Sequence, residues 1–152
     1  MAAPLDVEEL SRQGVAVIVA TRDRSLMPAV TRGWGPRLLR DGARLELCVD
    51  APEGSPTLEN LRADSPVAVT LSRPTSYLTV QLKGTVANFG EPDAPALDAA
   101  HEHVDAFVAE TSAIGVPEAI IRVLAEAQLV AVAIDVAERY DQTPGPGAGR
   151  PL

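Results

Sequence analysis

The sequence predicts a mainly β fold, an antiparallel sheet or small barrel with helices attached. Three observations carry this expectation. Apolar, β-branched segments of strand length recur along the chain. Most are joined by connections of hairpin length rather than helical crossovers, which disfavours a doubly wound parallel sheet. Only one long stretch, 93–111, keeps its apolar residues to a single helical face.

Taken in order, residues 4–13 have a short helical pattern, with Val7 and Leu10 spaced i, i+3 and Gly14 as the stop. "GVAVIVATRD" is a buried strand that ends in the charged turn "RDRS", and "LMPAVTRGWGPRLL" continues the hairpin. Asp41-Gly42 is a turn signal ahead of "ARLELCVD", where Leu45, Leu47 and Val49 share a face. Ser55 is suited to cap a helix, Pro56 to open it, and Leu58 and Leu61 have helical spacing. "VAVTLSR" follows Pro66 as a strand, and "YLTVQLKGTVANFG" is a longer one that bends at Gly84. In the 93–111 helix Leu97, Ala100, Val104 and Phe107 line one face. Gly115 ends it, Pro117 opens a shorter helix through "EAIIRVLAEA", and "LVAVAIDVAERY" is the last strand. The sum is about six strands with three or four helices in a single domain. A helical lead covers 1–13 and a Pro/Gly tail covers 141–152.

Composition narrows the function. The chain has 152 residues, 46% hydrophobic, with net charge -8. No Lys/Arg cluster interrupts the scattered single arginines, so a nucleic-acid partner is not expected. Cys48 is the only cysteine and has no internal disulfide partner, as suits a reducing cytosol. The first residues lack the basic and apolar regions of a secretory signal, and no apolar run approaches the roughly 18 residues of a membrane span. A cytoplasmic protein with no membrane partner is the expectation.

Several motifs carry little. "GPGAG" in the tail superficially resembles a dinucleotide-binding loop, but no helix follows it to meet a pyrophosphate. His101 and His103, spaced i, i+2 on the long helix, face different ways and read as solvated residues rather than metal ligands. Cys48 reads as a small core residue, and no catalytic triad stands out. Two features say more. In "AVTRGWG", alternation puts Arg32 on the face of Val30 and Trp34. It is either an edge arginine in solvent or a cation awaiting an anionic partner. In "GSPTLENL", Ser55, Thr57 and the helix start form either an ordinary cap or a cradle for one phosphate.

The succession "GVAVIVATRD", "PAVTRGWG", "TLENLRADSPVAVTL" and "YLTVQLKGTV" is similar to the pyridoxamine 5'-phosphate oxidase-related family, the flavin-binding split barrels. The resemblance runs from about Gly14 to the tail. It implies a six-stranded antiparallel split β-barrel with peripheral helices. It also implies a homodimer with FMN at the subunit interface and, with it, a flavin-dependent oxidoreductase of unknown substrate. Carried over by position, Arg32 faces the flavin phosphate, and Gln81 and Lys83 fall near the flavin. Thr57 departs from the pattern, because many members have a basic residue there. Such a loss weakens binding by roughly 1.5–3 kcal/mol. With 3% aromatic residues, the ring would stack mostly on aliphatic groups, Trp34 being the exception.

Chemistry in such a protein belongs to the cofactor, so no general acid or base is required. The alternatives are a split barrel without flavin, acting as a small-ligand-binding or structural protein, and a relative using deazaflavin or haem. The tail "YDQTPGPGAGRPL" continues directly from the last strand. Its prolines stiffen it, its glycines permit bends, and Arg150 is available to anchor it. An ordered strap near the cleft is expected rather than a frayed end.

Overall fold

The computed structural model describes residues 5–152. The first residues of the helical lead, 1–4, lie outside the described residues. The helix itself is α1 (Val7–Ser11), capped by Asp6 and feeding Val7 and Leu10 into the core. Strands β1 (Ala16–Arg22), β2 (Pro28–Leu39) and β3 (Arg44–Asp50) follow as antiparallel neighbours. After helix α2 (Pro56–Arg62) come β4 (Pro66–Ser72) and β5 (Thr79–Gly90). Next are α3 (Ala94–Ala113), α4 (Glu118–Leu124) and β6 (Leu129–Asp141). The sheet order is β3-β2-β1-β4-β5-β6, and β3 also pairs with β6, so the six strands close into an antiparallel barrel. A seventh strand, β7 (Arg150–Pro151), is added to β6 by the tail.

Alternation fills the barrel. Val17 and Val19, Leu45 and Leu47, Val69 and Leu71, Val80 and Leu82 point inward and are buried. Helix α2 adds Leu58 and Leu61 to this core. Its N-cap hydroxyl, Ser55 Oγ, accepts from Leu58 N at 3.3 Å, and Asn60 Nδ2 donates to Thr21 Oγ1 at 3.0 Å. Ser55→Ala is expected to cost about 1 kcal/mol in urea unfolding, the usual worth of a cap. An unchanged midpoint would show that the cap is dispensable here.

Helices α3 and α4 lie outside the barrel over a second core of Trp34, Cys48, Ala96, Ala100, Val104, Phe107 and Ile121. The approach of α3 is close because glycines face it. A Cβ on Gly14 would overlap the Ala106 carbonyl, and one on Gly35 would stand 2.7 Å from Ala100 N. Gly35 also has φ +63, a conformation that disfavours any side chain. The far end of α3 is tied down by Glu110, which accepts from Arg73 Nε at 3.0 Å and Thr75 Oγ1 at 2.6 Å.

The expectations differ from the structure in detail. His103 is not solvated: it is 7% exposed, beneath α3. Its position one turn from Ala100 and Phe107 places it on the buried face, and a carbonyl there satisfies one ring nitrogen. His101 is exposed, as expected. The tail is ordered by backbone bonds, among them Gly149 N to Asp141 O at 2.6 Å and Leu152 N to Arg139 O at 3.0 Å. Among the described residues no helix is long and apolar enough to cross a membrane.

Candidate functional site

The register across five strands defines the site. Arg32 pairs with Ile18, Ile18 with Thr70, Thr70 with Gln81, and Gln81 with Tyr140. A second row runs Val30, Ala20, Ala68, Lys83, Glu138. The partners of a row share a face, and the inward positions on either side are the core valines and leucines. Both rows therefore lie on the outer face of the barrel. The floor is made of small or half-buried residues, Ile18, Ala20, Ala68 and Thr70, with Val30 at 65% exposure beside Arg32.

The charges on this face have one prevailing sign. Arg22, Arg32 and Lys83 stand against Glu138 and, one row on, Asp135, which already pairs with Arg44 of β3, on a chain whose net charge is -8. Arg32 enters no hydrogen bond or ion pair through its side chain among the described residues, and β2 is a central strand rather than an edge. The Lys83 ammonium sits 5.1 Å from the ring centroid of Tyr140. The Tyr140 hydroxyl donates to Glu138 Oε2 at 2.9 Å, and this bond holds its phenol above the usual range. Gln81 reaches Thr70 Oγ1 at 3.4 Å. A hollow of about 440 Å³ opens among Arg22, Ala20, Ala68, Lys83 and Glu138.

The structure thus brings Arg32, Gln81 and Lys83 onto one face and leaves the other candidates apart from them. Trp34 follows Arg32 on the same side of β2 but is 2% exposed, roofed by α3 with Phe107 and His103. Ser55 commits its hydroxyl to the α2 cap, and Thr57 is 4% exposed. Arg22, Glu138 and Tyr140 were not singled out from the sequence. Arg22 was readable there, because it continues the outward alternation Ala16, Ile18, Ala20. The pairing of Lys83 with the Glu138 strand was not, since it joins residues far apart in the chain. Cys48 is buried against Ala96, and burial raises its thiol above the ordinary range, so it is not a nucleophile in this state. No cluster of metal-ligating residues occurs among the described residues.

A scan of protein-family models finds no match, and a search of curated proteins finds none either. Solved structures do match. An F420 reductase superposes with a TM-score of 0.59 at 19% identity, over 90% of this chain and 98% of that one. The HupZ protein of Group A Streptococcus gives 0.55 at 17% identity, over 97% and 100%. A protein of Lactobacillus delbrueckii, provisionally assigned as a pyridoxamine 5'-phosphate oxidase, gives 0.52 at 18% identity, over 90% and 93%. Together with the closed six-stranded barrel, these likenesses define the class: this chain has the pyridoxamine 5'-phosphate oxidase-like split-barrel fold.

Proposed function

We propose that this chain binds FMN on the outer face of β2-β1-β4-β5-β6, as a homodimer, and serves as a flavin-dependent oxidoreductase. The observation that carries the reading is the reversed charge of that face. Three cations stand over a small-residue floor, on an acidic chain, and Arg32 is half-buried with no anion to meet it among the described residues. A half-buried guanidinium favours an anionic partner, and a phosphate monoester accepts its planar fork. Arg32 would hold the phosphate. Gln81 and Lys83, about 14 Å away across three strand spacings, would meet the ring end with their amide and ammonium. Thr57 and Ser55 lend no charge, which leaves Arg32 as the principal anchor. When bound, the flavin supplies the redox chemistry, and the protein orients it and keeps one side dry. The exposed Val30 and the flat alanine floor suit cover by a second copy, and light scattering at micromolar concentration is expected to give twice the 16.0 kDa mass.

Fluorescence titration tests the anchor. FMN is expected to bind saturably, and Arg32→Ala to weaken it about 10- to 100-fold, the loss of one charge-assisted hydrogen bond. Equal affinity in the variant would remove Arg32 from the site. The likeness to an F420 reductase makes that deazaflavin the competing ligand for the same face. A parallel titration with F420 decides between the two.

A further inference from the structure

Beneath α3 lies a titratable group that the sheet face does not use. His103 Nε2 stands 2.9 Å from the Val15 carbonyl. Since a carbonyl only accepts, Nε2 carries the proton and Nδ1 is left as a bare lone pair. Among the described residues no group is within hydrogen-bonding reach of Nδ1. The imidazole is stacked at 17° on Phe107 and tilted at 59° to the indole of Trp34, whose centroid is 5.8 Å away. The groups facing it are the Val15 carbonyl on the approach to β1, Trp34 from β2 and Phe107 from α3 itself. Ile121 of α4 packs into the same cluster. None of these titrates, and no charged neighbour influences the ring.

A proton added at Nδ1 would create a donor with no acceptor and a cation in an apolar pocket. Water can relieve both only if the middle of α3 leaves the barrel. That helix roofs Trp34, the residue that continues the Arg32 side of β2. We propose that His103 is an acid-sensitive latch: at neutral pH its uncharged ring fastens α3 to the barrel, and its protonation releases the helix and uncovers Trp34. The device needs no ligand on the sheet face and stands apart from the flavin reading.

The sign follows from burial, which pushes the His103 imidazole below its ordinary value. The released form takes up a proton near the free value of about 6.5, whereas the docked form resists it. Docking is therefore at full strength above about pH 6.5. The released-to-docked ratio rises by up to about tenfold for each pH unit below that, until the docked ring itself titrates.

Trp34 is the only tryptophan and reports its own uncovering. Its emission is expected to shift to the red between pH 6.5 and 4.5, while amide exchange in β1 and β4 stays slow and exchange in α3 quickens. His103→Gln, whose amide can still donate to Val15 O but does not titrate, is expected to abolish the shift. His101→Gln, on the exposed side, is expected to retain it. An identical shift in His103→Gln would overturn the latch, as would simultaneous loss of β1 and β4 protection. If the glutamine variant does not fold, imidazole NMR of the unaltered chain decides. Titration of His103 with no change in α3 exchange, or at the free value, also ends the proposal.

Discussion

Gly84→Ala is expected to cost about 3 kcal/mol or more and to bring the urea midpoint down sharply. The site is the seam between β5 and β6. Register slips there: Lys83 pairs with Glu138 and Gly84 with Val136, so Ala137 is the extra residue of a bulge. A Cβ on Gly84 would overlap the carbonyl oxygen of Asp135 and stand 2.8 Å from its carbonyl carbon. These are backbone atoms of the neighbouring strand, so no side chain can swing aside to make room. Asp135 is also paired with Thr85 and, on its other edge, with Arg44 of β3. Moving it strains both seams of the barrel at once. Overpacking in a core usually costs 1–3 kcal/mol, and an immobile backbone neighbour puts this case at the top of that range or beyond it. A domain with 5–15 kcal/mol in total loses a large share. Gly90→Ala is the control, since nothing lies within 4 Å of a Cβ there. Urea midpoints of the two variants measure the difference. A Gly84→Ala midpoint equal to that of Gly90→Ala would mean that the seam has slack.

Much of this architecture could be read in the chain, and the reasons are local. Strand alternation is a property of the backbone, so it assigned Gln81 and Lys83 to one face, and Arg32 with Val30 to one face, as the registers require. Gly84 was legible as a bend for the same kind of reason: the strand is apolar on both sides of a residue that packs nothing. The tail was legible through its stiffness. What could not be read was which strand lies beside which. The face acquires its positive sign only when β1, β2 and β5 are assembled, because Arg22, Arg32 and Lys83 are far apart in sequence.

The misreading of His103 has a different cause. Positions 96, 100, 103, 104, 107 and 111 form one buried stripe on α3, and His103 falls within it. Its position was readable, but its polarity argued for solvent. The polar group is accommodated because Val15, just before β1 begins, offers a free carbonyl at the right depth. Trp34 was placed on the correct side of β2, yet as a partner for a flavin ring. That reading requires an open face over Trp34. The structure puts α3 there instead, and the roof fits because Gly14 and Gly35 let helix backbone rest directly on the barrel.

That dependence yields the second large effect. Gly14→Ala is expected to push α3 off the barrel at neutral pH. The added methyl would overlap the Ala106 carbonyl and stand 2.8 Å from Phe107 N, both on the helix backbone. The φ of Gly14 is one that alanine can adopt, so no backbone strain of its own enters. The sign of the result is therefore diagnostic. Were the contact loose, replacing this glycine would stabilise the fold by about 0.4–1 kcal/mol, by restricting the unfolded chain. With the helix backbone in the way, the overpacking cost of about 1–3 kcal/mol prevails. For a domain of this size each kcal/mol lowers the melting temperature by roughly 2–4 °C. Emission from Trp34 should be red-shifted already at pH 7.5, where His103 is neutral. The steric displacement thus reproduces by geometry what acid does by charge. A variant that melts higher than the parent, with unchanged Trp34 emission, would mean that α3 does not rest on Gly14.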